Sequence, residues 1–178
     1  MELSWMGEHR ELIEKIIRFG NAYTFCYKAQ LDYNTGMFFS AAQIQTLEYI
    51  LESEEKNEKM SDMAKRLGVS KSTFSRNVKI LTEKGLLERY QKGDNKKNIY
   101  VKPSEKGRQI YEKYTECALD VCFREMFSIA DRISAEDKKY IGELLDCFSD
   151  CWSSYCMENS EKLSIVKLEN EERVDGEN

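Results

Sequence analysis

Apolar positions recur at helical spacing over most of the chain and switch to alternation once, near residues 86–102. Leu12, Ile16, Phe19, Tyr23 and Cys26 or Tyr27 mark a helix over 8–31. A second helix over 40–53 opens at Ser40, which with Gln43 forms a capping box, and ends in the charged loop ESEEKNEK. Met60, Met63, Ala64 and Leu67 lie on one face of a third helix, and Gly68 accepts the positive backbone angle that stops it. Val69 plugs the turn, and Ser70 stands where an N-cap belongs. The next helix buries Phe74, Val78 and Leu81, with Ile80 at the edge of the stripe, and ends at Gly85. Residues 86–90 and 98–102 read as paired strands, Ile99 and Val101 sharing a face, joined by QKGDNKK with Gly93, Asp94 and Asn95 as turn residues. Residues 104–130 form a long helix along Ile110, Tyr114, Cys117, Val121 and Phe127. Residues 131–134 break it, and Ser134 with Asp137 caps a last helix over 135–157. That helix carries a wide apolar set: Tyr140, Ile141, Leu144, Leu145, Phe148, Cys151, Trp152 and Tyr155.

The helix after Ser70 turns a different chemistry outward: Lys71, Ser72, Thr73, Ser75, Arg76 and Lys79. Arg76 suits a bidentate contact to guanine or a phosphate, and the hydroxyls donate or accept at base edges. Lys71 and Lys79, without a planar fork, suit phosphates. Any solvated helix has a polar face, so local charge matters. Residues 60–98 hold ten Lys/Arg against four Asp/Glu, a net +6 in a chain of −5, which leaves −11 elsewhere. A cationic island on an acidic protein is the footprint of a polyanion partner. The hairpin tip adds Lys92, Lys96 and Lys97, placed to reach phosphates or a neighbouring minor groove. The expected DNA-binding set is therefore Ser70, Lys71, Ser72, Thr73, Ser75, Arg76, Lys79, Lys92, Lys96 and Lys97.

These features resemble the MarR family of winged-helix transcription regulators, over about residues 10–156 and most strongly over 60–107. LGVSKSTFSRNVKILTEKGLLER is similar to the family's turn and recognition helix, FFSAAQ at 38–43 to the entry of its second helix, and SEKG at 104–107 to the segment after the wing. In the wing itself, the family's Asp–Arg set falls on residues 92–97, where Lys92 replaces the leading Asp and Lys97 the last Arg. The wing is thus expected to meet DNA through lysines as flexible point charges. The resemblance implies a mainly α fold with a small β-wing: a winged helix-turn-helix over 36–103, with long helices at 1–35 and 104–157 forming a dimerisation domain. Three long helices exceed what one small winged module covers, which also points to a second copy. Pairing would set two reading helices one DNA turn apart, roughly 34–36 Å, on a palindromic operator of double-stranded DNA. The family further implies a repressor released by a small aromatic or amphipathic effector, with Phe19, Tyr23, Phe38, Phe39 and Tyr114 as candidate pocket residues. As residues alone, these aromatics read rather as plain core.

Composition narrows the rest. With 178 residues and 41% apolar content the chain can bury a core, and its single proline favours helices. No uninterrupted apolar run is long enough for a membrane span, and the N-terminal stretch lacks a signal-peptide core, so cytoplasmic residence is expected. Six cysteines at 26, 117, 122, 147, 151 and 156 form no CxxC and read as small buried hydrophobes. Cys147 and Cys151, one turn apart, leave open a redox or metal sensor on the same scaffold. A winged helix used only for protein contacts is a further alternative. His9 is the only histidine, and no nucleophile–base pair, metal set or cofactor motif is legible, so neither an enzyme nor a cofactor is expected. Residues 158–178, with seven Asp/Glu against three Lys/Arg, read as an acidic, disordered tail.

Overall fold

A computed structural model of the chain describes residues 4–56, 58–91 and 99–160. They form two compact units, Met1–Arg124 and Glu125–Asn178. The first opens with a 3-10 segment, Ser4–His9, and α1, Arg10–Tyr27. The helix expected to reach residue 31 stops at Tyr27, and Leu31 instead pairs as an isolated bridge with Phe39. Thr35 closes the intervening turn, its hydroxyl donating to Asp32 O at 2.6 Å.

The winged helix follows. α2, Ala41–Glu52, has the Ser40–Gln43 capping box, with backbone and side chain bonded reciprocally. α3 is Met60–Arg66 and α4 Lys71–Glu83. Gly68 and Gly85 both take positive φ, +70° and +75°, where the two helices end. β1, Leu87–Gln91, pairs antiparallel with β2, Ile99–Pro103, each shifted one residue from expectation. The core is one cluster: Phe39, Ile44, Leu47 and Ile50 meet Met63, Ala64, Phe74, Val78 and Leu81, with Leu86, Leu87 and Ile110 closing it. Every residue of the anticipated stripe on α4 is buried, and so is Asn77, which was not anticipated.

α5, Glu105–Ala118, starts on Ser104, whose hydroxyl accepts from Gly107 N at 3.0 Å and donates to Gly85 O at 2.7 Å. The long helix expected over 104–130 is interrupted by a π-helical turn, Leu119–Phe123, before α6, Arg124–Ala130. In the second unit, α7, Ala135–Ser160, is capped by Ser134, whose Oγ accepts from Asp137 N at 3.0 Å. α7 runs three residues into the stretch assigned to a disordered tail; residues 161–178 lie outside the described residues, as do the side chains of Trp152, Tyr155 and Cys156.

Candidate nucleic-acid interface

α4 is held by its apolar stripe against α2 and α3, which leaves the opposite face to solvent. Lys71, Ser72, Ser75, Arg76 and Lys79 are exposed there, and Thr73 is half-buried. Among the described residues neither Lys71 nor Arg76 has a hydrogen-bonding or ionic side-chain partner, while Lys79 lies 3.8 Å from Glu83 one turn on. Ser70 is the N-cap: its Oγ accepts from Thr73 N at 3.1 Å and lies 2.8 Å from Ser72 Oγ and 2.9 Å from Thr73 Oγ1. Three hydroxyls thus cluster where α4 presents its free N–H groups, the end of a helix that attracts anions. An open cleft of about 450 Å³ adjoins them, lined by Ser61, Asp62, Lys65, Val69, Ser70 and Lys71. Lys65 and Ser61 were absent from the expected set. Both stand on polar positions of the α3 pattern, so the signal was available.

Lys92, Lys96 and Lys97 lie outside the described residues. The strands that carry the hairpin are described, and Val101 of β2 packs against the core.

The five aromatic residues considered for an effector do not form one group. Phe19 and Tyr23 stack along α1, ring centroids 5.9 Å apart, and Tyr23 accepts a hydrogen bond from Gln45 Nε2 of α2 at 2.5 Å. Phe19 is 61% and Phe38 64% exposed. Phe39 is fully buried in the core, with the Lys84 ammonium 4.4 Å above its ring. Tyr114 belongs to another cluster, edge-on to Tyr33 at 5.2 Å and tilted against Tyr111 at 5.9 Å. Burial first, then the Glu48 carboxylate, pushes the Tyr114 phenol up to about 12.

The cysteines depart from expectation. Cys26, Cys122, Cys147 and Cys151 are exposed and Cys117 is half-buried, because the helices that bear them have faces left uncovered in a single chain. A hydrogen bond with Cys147 holds the Cys151 thiol above its ordinary value, which disfavours a reactive thiolate. Among the described residues no group of His, Cys, Asp or Glu is placed to hold a metal ion, and no helix is long and apolar enough to cross a membrane.

Residues 39–97, from Phe39 of the Leu31 bridge past β1 and short of β2, match the sequence model of the MarR family. That segment is similar to the winged helix of the MarR family. Structural likeness runs beyond the matched segment. A MarR/EmrR family transcriptional regulator from Acinetobacter sp. ADP1 superposes with a TM-score of 0.56 at 19% identity, covering 82% of this chain and 96% of that one. The PcaV transcriptional regulator from Streptomyces coelicolor, solved with its natural ligand, gives 0.55 at 12% identity, over 84% and 98%. A mutant of Lactococcus lactis ZitR, solved in complex with DNA, gives 0.55 at 11% identity, over 83% and 99%. At these identities the likeness establishes the MarR fold, mostly helical with a two-stranded wing. No curated protein matches the sequence.

Proposed function

We propose that this protein is a homodimeric, sequence-specific DNA-binding transcriptional regulator of the MarR family, acting as a repressor whose hold on DNA an effector loosens. The observation that carries this reading is the outward face of α4. It exposes Lys71, Ser72, Ser75, Arg76 and Lys79 on a segment of net +6, while its other face is anchored in the core. Outward cations and hydroxyls are suited to phosphates and base edges, and Lys71 and Arg76 have no internal partner among the described residues to give up. In this reading Ser70, Thr73, Lys71 and Lys79 position the helix on the backbone, Ser75 and Arg76 read bases, and Lys92, Lys96 and Lys97 of the wing follow the adjacent phosphates. The likeness to ZitR, solved with DNA, supports the same docking.

The effector belongs to the finer part of the proposal. A small aromatic or amphipathic molecule would stack on the exposed Phe19–Tyr23 pair of α1, while Phe39, sealed in the core, and Tyr114, in a separate cluster, stand apart from it; the likeness to PcaV, solved with a ligand, supports a ligand-responsive scaffold. An effector shifts the equilibrium only as far as it prefers one arrangement of the heads over the other. The cytoplasm, where the target DNA lies, is the proposed location.

Selection of bound sequences from random duplex DNA at near-physiological salt tests the proposal. A palindromic consensus is expected, with affinity falling steeply as salt rises. Indifference to sequence, with no salt slope, would leave a protein-interaction module as the better reading.

A further inference from the structure

Asn77 stands where the α4 stripe calls for an apolar residue, between Phe74 and Leu81, and is only 6% exposed. Its Nδ2 donates to Ala42 O at 3.2 Å and to Thr46 Oγ1 at 3.0 Å. The Thr46 hydroxyl, wholly buried, donates in turn to Ala42 O at 2.7 Å. Both amide hydrogens of one α4 side chain therefore end on a single turn of α2.

The neighbours of Asn77 act differently. Phe74, Val78 and Leu81 hold α4 by apolar contact, which has no direction. Such contacts let a helix roll slightly about its axis. A roll of about 20° moves a side-chain tip, roughly 5–6 Å from that axis, by about 2 Å. Hydrogen-bond lengths span only about 0.5 Å, so a base contact made by Ser75 or Arg76 does not survive such a shift. A phosphate contact through a flexible lysine does. A buried amide with two directed bonds is the element in this interface that resists rolling. Single buried polar groups are known to set register in other helical pairs in the same way.

We infer that Asn77 is a positioning residue for the reading face: through Thr46 and Ala42 it fixes the rotation of α4, and so determines which base edges Ser75 and Arg76 reach. The inference rests on the DNA-binding reading and gives Asn77 no contact with DNA.

The test compares wild type, Asn77→Leu, Thr46→Val and the double variant. Each is measured for affinity to the selected consensus and to random duplex at one salt concentration, together with melting temperature. Asn77→Leu leaves Thr46 bonded to Ala42 O, so no buried donor is orphaned and folding is retained. Preference for the consensus is expected to fall about tenfold, the order of one lost base contact, with random-duplex affinity unchanged. Thr46→Val strands an amide hydrogen and melts lower, with a similar loss of preference. The double variant recovers the melting temperature but not the preference, and the two losses do not add. Full preference in folded Asn77→Leu overturns the inference. So does a loss that tracks melting temperature and weakens random-duplex binding equally, because a merely structural role behaves that way. Absence of preference in the wild type refutes the proposed function, and this inference with it.

Discussion

Two residues of the winged helix have consequences out of proportion to their size. Gly107 lies in the first turn of α5 against the end of the core: a Cβ built on it would lie 2.2 Å from the backbone oxygen of Leu86, which cannot move without shifting the entry to β1. Gly107→Ala is therefore expected to destabilise the fold by about 1–3 kcal/mol, the usual cost of overpacking, read as a lower midpoint in urea with an unchanged slope. An unaltered midpoint would mean that the strand entry yields freely. Arg76, by contrast, is exposed and has no hydrogen-bonding or ionic partner among the described residues. Arg76→Ala should leave stability within the range of surface substitutions, while costing roughly 1–3 kcal/mol in binding to the consensus and relaxing preference at one base position. If affinity falls equally on every sequence, Arg76 binds phosphate instead. The two side chains also differ in how openly the sequence declares them. Arg76 is legible from its place opposite the Phe74–Val78–Leu81 stripe. Gly107 is recognisable only as part of a motif, since its reason is a carbonyl 21 residues away in the chain.

Between elements, short-range chemistry proved legible and long-range pairing did not. Ser40, Ser70 and Ser134 cap the helices that follow them as their local patterns indicate, because a cap depends on residues two or three positions away. The tie between the ends of α2 and α3 has no such local signature. Arg66 Nη2 meets Glu52 Oε2 at 2.5 Å, its Nη1 meets Glu58 Oε2 at 3.1 Å, and its guanidinium lies 4.6 Å from the centre of the Tyr49 ring. Ser53 Oγ donates to Glu58 at 2.7 Å, which draws the intervening loop into the same group. The hydrogen bond from Arg66 lowers the Glu52 carboxyl below its ordinary value of 4.5. A carboxyl depressed in the folded state contributes stability above its unfolded pKa and loses it as pH falls through the folded one. Wild type should thus lose stability on acidification below about pH 4.5, and Arg66→Ala should remove part of that slope, its small cost present near neutrality and gone at low pH. Parallel acid titrations of the two proteins would decide it; identical slopes would mean that the tie is only an alignment of exposed groups.

For the whole molecule, the open question is what covers the apolar surface outside the winged helix. On α1, Leu12, Phe19 and Tyr23 of the expected stripe are exposed, Phe19 at 61%; on α7, so are Tyr140, Ile141 and Leu145. Helical periodicity announced both faces as buried, and within one chain they are not. Isolated exposed apolar residues are ordinary, but whole helix faces of them mark an interaction surface. On the proposed function a second copy is the economical occupant, because two-fold pairing would supply two reading heads at the spacing of a helical turn. Linking two heads raises affinity over one by roughly 10²–10⁴-fold when both engage. Ile141→Glu with Leu145→Glu places two charges one turn apart on the exposed face of α7, where the single chain tolerates them. Sedimentation should then report a folded monomer, helical content should be retained, and binding to the palindromic consensus should drop within that range to the level of a half-site. Affinity for an isolated half-site should stay as in the wild type, since α4 is untouched. A variant that remains dimeric and binds the palindrome normally would show that this face of α7 is not where the copies meet.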